Sequence, residues 1–294
     1  MPCICYVDRQ FSTSTMEVID KANRIVEEYL AQGFRLTLRQ LYYQFVARGW
    51  LANRQQNYKR LGSILGDARN AGLIDWSAIE DRTRELRSKP HWDSPADILE
   101  SCAAQFRFDL WKDQPYRVEV WIEKDALLGV FEPTCVELDA PLFSCRGYTS
   151  QSEVWEAGRR LLSHLEAGQS PVILHFGDHD PSGMDMTRDI TERLGLYAEE
   201  PIEVERLALN YDQVQQYSPP SNPAKVTDSR YAKYVEVHGE ESWELDALEP
   251  NVIAELIRST VLSYRDESLW EDAMKRQQAA RDRLRELAEN WGGS

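Results

Sequence analysis

The segment PVILHFGDHDPSGMD, Pro171 to Asp185, is where the chain first declares a fold. Its apolar run, Val172 to Phe176, has the length and composition of a strand buried in a parallel sheet. The run stops abruptly at Gly177, Asp178, His179, Asp180, Pro181, Ser182 and Gly183. Two carboxylates therefore follow a strand's C-terminal end, the edge of an open α/β sheet where ligands bind. Two readings are open at this point. Asp178 and Asp180 converge on a hard cation such as Mg²⁺, or the stretch is a solvated turn with Ser182 capping the next helix.

The flanking sequence alternates in the same way. Strand Val118 to Ile122 ends at Glu123 and a helix starts at Asp125. Strand Pro141 to Cys145 ends at Arg146 and Gly147 and is followed by a helix from Glu153 to Leu165. After the central strand come a helix from Ser182 to Leu194 and a strand from Ile202 to Leu209. A βαβαβαβ order predicts a parallel sheet with right-handed crossovers. Glu123 then stands on the same sheet edge as Asp178 and Asp180, which favours a metal site over a bare turn. His175 and His179 are expected to pack or to tune that site rather than to bind zinc. Lys124 has two open readings, a phosphate contact or a pair with Asp125.

The N-terminal part reads as helical. Thr15 to Gln32 is amphipathic and stops at Gly33. A capping box of Thr37 and Gln40 opens the next helix, whose apolar face carries Leu38, Leu41, Tyr42, Phe45 and Val46. Tyr43 falls on the opposite side, one turn from Arg39. A third helix, Tyr58 to Asn70, carries Lys59, Arg60 and Arg69, and Gly72, Leu73 and Ile74 are expected to begin a wing. Three short helices and a wing predict a winged-helix DNA-binding domain over residues 1–92, with Pro90 to Pro95 as the linker. Residues 93–294 would hold the α/β unit and a helical C-terminus, ending in a charged helix from Glu271 to Trp291.

Composition bounds what such a chain does. With 294 residues, 42% hydrophobic and 10% aromatic, it has enough apolar mass for about two cores. Its net charge of −15 argues against indiscriminate nucleic-acid binding. Yet Arg35 to Lys89 holds 11 Lys/Arg against 5 Asp/Glu, so phosphate binding would be local. The five cysteines are scattered and expected to be reduced. No apolar stretch approaches the roughly 18 residues of a membrane span, so a cytoplasmic chain with no membrane partner is expected. A P-loop signature is missing, which excludes ATP binding by that route.

Glu123 together with GDHDPSG from Gly177 resembles a Toprim domain. TLRQLYY, Thr37 to Tyr43, is similar to the tyrosine motif of the topoisomerase VI A subunit and of its relative, the meiotic double-strand-break transesterase. The resemblance covers roughly residues 16 to 210. It implies that Tyr43 is the nucleophile, with Arg39 favouring its phenolate and holding the scissile phosphate. Glu123, Asp178 and Asp180 would bind Mg²⁺, and Glu123 would also move a proton. The product would be a DNA end joined 5′ to Tyr43. The resemblance further implies double-stranded DNA bound with help from Lys59, Arg60 and Arg69. It implies a homodimer in which one protomer's tyrosine works with the other's metal site, and leaves room for a separate ATPase subunit. Gln40 departs from the family, which has an acidic residue there, and the chain is shorter than a typical A subunit. Two other functions remain: a Toprim nuclease using water, and a non-catalytic DNA-binding protein.

Overall fold

A computed structural model describes residues 3–79 and 89–291. It is a mixed α/β structure around a four-stranded parallel sheet. Three helices come first: α1 (Thr13–Ala31), α2 (Leu38–Ala47) and α3 (Gln55–Asn70). The capping box at α2 is present as read, with Thr37 Oγ1 accepting from Gln40 N and Gln40 Oε1 accepting from Thr37 N. Ile19, Ile25 and Tyr29 of α1 pack on Leu41 and Phe45 of α2 and Leu61 and Leu65 of α3, a core separate from that of the sheet. The segment expected to begin a wing at Gly72 forms turns flanked by two isolated bridges, Cys5 to Ala71 and Leu36 to Ile79. Its continuation, residues 80–88, lies outside the described residues.

After α4 (Pro95–Gln105), the α/β unit runs β1 (Tyr116–Ile122), α5 (Leu128–Glu137), β2 (Leu142–Ser144) and α6 (Gln151–Glu166). It continues through β3 (Ser170–Phe176), α7 (Pro181–Ala198) and β4 (Glu203–Ala208). The sheet order is β2-β1-β3-β4, all parallel. Side chains alternate across it, as strand geometry requires. Val118, Val120 and Ile122 of β1 join Val172, Leu174 and Phe176 of β3 on one face. Trp121 and Ile173 point to the other, against Val154 and Leu161 of α6 and Ile190 and Leu194 of α7.

The remainder covers the first face and returns to the strand ends. It comprises α8 (Tyr211–Tyr217), β5 (Asn222–Pro223), α9 (Tyr231–His238), β6 (Glu241–Ser242), α10 (Pro250–Ser263) and α11 (Glu267–Trp291). Ile253 and Ile257 of α10 pack on the sheet core with Phe131 of α5, while α11 lies along α4. Expected as a loop, 217–232 instead ends α8, pairs β5 with β6 and leads into α9. No helix among the described residues is long and apolar enough to cross a membrane. The five cysteines form no disulfide.

Candidate active site

The register of the sheet builds the site. Because β1 and β3 pair as far as Ile122 with Phe176, Glu123 and Gly177 leave the sheet side by side. Glu123 N donates to Phe176 O at 2.9 Å, and Asp178 N donates to Glu123 Oε2 at 2.8 Å. The chain then turns so tightly that a Cβ on Gly183 would lie 2.2 Å from the Asp178 carbonyl oxygen, so only glycine fits. Asp180, not Ser182, caps α7. Its Oδ1 accepts from Gly183 N at 2.6 Å and Ser182 Oγ at 2.9 Å, with Pro181 in the first helical turn where its missing N–H costs nothing.

A bridge between His179 and Trp243 closes the site from above, with N–H···O distances of 2.8 and 2.9 Å. It carries Glu244 and Asp246 to the strand ends. Lys124 Nζ then stands among three carboxylates: 2.6 Å from Asp178 Oδ2, 3.0 Å from Glu244 Oε2 and 3.7 Å from Asp246 Oδ1. Asp125, the partner weighed for Lys124, is instead paired with Arg146 at 2.7 Å. Asp178 Oδ1 accepts from Leu245 N at 2.8 Å.

The helical unit meets this cluster through α2. Tyr42 and Tyr43 are both 4% exposed. Tyr42 is in the core as expected, its hydroxyl accepting from Arg54 N at 2.8 Å. Tyr43, expected on the outward side of the helix, is instead buried in the same core cluster as Leu41 and Phe45, where the turn at Leu245–Ala247 packs on α2. Arg39 donates to Glu244 Oε1 at 2.7 Å and has its Nε 3.1 Å from Asp246 Oδ2, with its guanidinium 5.8 Å from the Tyr43 ring centre. Tyr43 and Glu244 line the same cleft, with Arg39 between them as a shared neighbour. Arg39, Tyr42, Tyr43, Asn53, Arg54, Tyr58, Asn222 and Glu244 surround a cleft of about 300 Å³. Thus Tyr43, Arg39, Glu123 and Asp178 are brought into one connected network within a single chain.

Electrostatics follow from this crowding. Burial, then Asp178 and Asp180, push Glu123 up to about 7. Burial raises the Asp246 carboxyl and Lys124 opposes it, leaving it at about 6; neither of its oxygens has a partner in hydrogen-bond geometry. Burial also acts to raise Glu244, but Lys124 and Arg39 overcome it and hold the carboxyl at about 2. Tyr43 is raised by burial and by Asp246 and Glu244, against Arg39. Its phenol is therefore protonated at neutral pH in this arrangement.

No family model, curated protein or solved structure matches the chain.

Glu123, Asp178 and Asp180, expected to share Mg²⁺, differ in their contacts. Among the described residues no three His, Cys, Asp or Glu side chains are grouped to hold a metal ion. Asp180 is turned to cap α7, and the Lys124 ammonium is paired with Asp178. His175 bonds Thr187 at 2.9 Å and His179 bonds Tyr234 at 2.8 Å. Burial lowers them to about 3 and 4, so both are neutral at pH 7. Of the expected DNA contacts, Lys59 and Arg60 are exposed on α3. Arg69 is turned inward, donating to the Trp76 and Ile79 carbonyls and stacking 5.1 Å over the Trp76 ring.

Three participants were not legible as such. Glu244 and Asp246 sit in SWELDALEP, where Trp243 and Leu245 alternate with acids; that pattern marks one wet and one dry face but not what the acids meet. Arg206, in strand sequence EVERLA, is a lone cation in a buried strand. It donates to the Gly177 and Asp178 carbonyls at 3.0 and 2.6 Å and to Gly183 O and Thr187 Oγ1 at 2.9 Å.

Proposed function

We propose that this chain cleaves double-stranded DNA by tyrosine transesterification, as a winged-helix and Toprim protein of the topoisomerase VI A type. One observation carries the reading: Arg39, beside the Tyr43 ring, is linked through Glu244 and Lys124 to Asp178 at the end of β3, and Arg39, Tyr43 and Glu244 line one cleft. A nucleophile, a cation beside it and carboxylates at a parallel sheet's ligand edge are the parts of phosphoryl transfer. Arg39 would hold the scissile phosphate, Tyr43 would attack it, and α3 would follow the DNA backbone with Arg54, Lys59 and Arg60 exposed. A homodimer would carry two such sites, one per strand. Mg²⁺, if bound near Glu123 and Asp178, would stabilise the charge that develops on the phosphate.

The test is an assay of supercoiled duplex DNA with the protein, with Mg²⁺ and with chelator in separate arms, scored for DNA ends bound to protein. The expected result is a covalent product lost in Tyr43→Phe and kept in Tyr42→Phe. Tyr42→Phe should instead lower stability by about 1–2 kcal/mol, because Arg54 N loses its acceptor. The burial of Tyr43 favours one other reading, a nuclease in which water attacks and the tyrosine is structural. Nicking that survives Tyr43→Phe would establish it, and DNA binding with no cleavage under either condition would leave a binding protein.

A further inference from the structure

Resting on the reading of Tyr43 as nucleophile, we propose that Glu244 is the general base that takes its phenolic proton. About one turn before Tyr43 in α2 stands Gln40, whose amide cannot act as a base. That amide is 5% exposed and committed to the capping box of α2, accepting from Thr37 N at 2.9 Å. Glu244 instead brings a carboxylate to the cleft that Tyr43 lines, from a segment about 200 residues downstream. It is paired with Lys124 and with Arg39, whose guanidinium stands 5.8 Å from the Tyr43 ring centre, and it lines the same cleft as Tyr43. Asp246, the nearest competitor, is sealed at 3% exposure and does not line the cleft.

The resting contacts also explain how the base is kept idle. Arg39 and Lys124 together stabilise the Glu244 carboxylate, which makes it a poor proton acceptor. A phosphodiester entering the cleft draws Arg39 to its non-bridging oxygens, because a guanidinium matches phosphate in bidentate geometry. Glu244 then keeps one cation instead of two and its proton affinity rises next to the phenol. In the reaction the Tyr43 Oη–H proton moves to a Glu244 oxygen as the Oη–P bond forms. The P–O3′ bond breaks with its electron pair on O3′, which takes a proton from solvent. Resealing runs the same steps backwards, with Glu244 returning the proton to Tyr43.

The experiment measures the rate of covalent protein–DNA formation on one duplex for wild type, Glu244→Gln and Glu244→Asp across mildly acidic to alkaline pH. It is repeated with Tyr43 replaced by a fluorinated tyrosine, whose phenol is more acidic. Glu244→Gln is expected to slow adduct formation at saturating duplex by about 100- to 10,000-fold. Alkaline pH and the fluorinated tyrosine are expected to recover part of the loss, since a phenol that ionises more readily needs a base less. Glu244→Asp, which keeps the charge but withdraws it, carries the same comparison if Glu244→Gln does not fold. Its expected loss is about 100-fold, relieved by the same substitution. Adduct formation at the wild-type rate in Glu244→Gln, or a loss that neither change relieves, overturns the proposal: Glu244 then only holds Arg39. If wild type forms no Tyr43-dependent adduct, the reading of Tyr43 itself falls, an outcome distinct from both.

Discussion

Arg206 is the residue on which the turn after β3 depends. Its planar guanidinium reaches the carbonyls of Gly177, Asp178 and Gly183 at once, together with the Thr187 hydroxyl. Burial lowers its pKa to about 10, with Glu123, Asp178 and Asp180 opposing, so it stays charged at neutral pH. Lysine offers a single ammonium on a flexible stem and cannot span these acceptors. Arg206→Lys is therefore expected to destabilise the fold by about 2–3 kcal/mol, since carbonyls in a tight buried turn lose their donors. Urea denaturation checks this, and Arg188→Ala is the control. Arg188 also pairs with carboxylates, Asp185 and Glu192, but is exposed, and its loss should leave the midpoint unchanged. A comparable fall for both variants would mean that the turn does not rely on Arg206.

Strand β1 shows what one element asks of its neighbours. Its alternation sends Glu119 to the face covered by α6, where it is 2% exposed. Arg160 answers with two bonds of 2.9 and 3.0 Å, and Trp121 Nε1 donates a third at 3.0 Å. Arg160→Ala leaves that carboxylate buried without its counter-ion. A loss of about 2–3 kcal/mol is expected, below the range for a fully enclosed pair because Arg160 is half exposed. Replacing both residues with apolar ones should recover part of it, and a double-mutant cycle in urea measures the difference. The strands could be read from the chain because a buried parallel strand is a short apolar run with an abrupt end. The capping box at α2 could be read because it is a local contact. The cap of α7 is also a local signal: Pro181 favours the first helical position, which makes Asp180 rather than Ser182 the cap. The short helices α8 and α9 escaped because so few residues hold a helix only through tertiary anchors, Val214 and Tyr234 here. A helical wheel likewise placed Tyr43 opposite the core but carried no information about which distant segment covers it.

Across the whole molecule, the site lies on the seam between two cores. Arg39 and Tyr43 come from the helical core, Glu123, Lys124 and Asp178 from the sheet edge, and Glu244 and Asp246 from the returning segment. The seam is also tied by Glu249, which accepts from Tyr29 and from Gln44, and by Asn53, which donates to Asn222 at 2.6 Å. Each of these contacts joins positions far apart in sequence, which is why the parts of the site were legible and their assembly was not. Gathering acids on a seam has a thermodynamic signature. Glu123 rises from 4.5 to about 7 and Asp246 from 3.8 to about 6, so between those limits the folded chain holds protons that the unfolded chain has released. Stability must then fall as pH rises through that window, by about 1.4 kcal/mol per pH unit for each retained proton. Glu244, held at about 2, acts in the opposite sense but only below its unfolded value of 4.5. From about pH 5 to pH 8 the net expectation is a loss of roughly 3 kcal/mol, the two acids sharing neighbours and so not adding fully. Denaturation midpoints across that range test it, and Asp246→Asn should flatten the lower part of the slope. Stability that climbs over the same interval would mean that Glu123 and Asp246 are ionised in the folded chain. The seam would then already be open to solvent or filled by a cation stronger than Lys124.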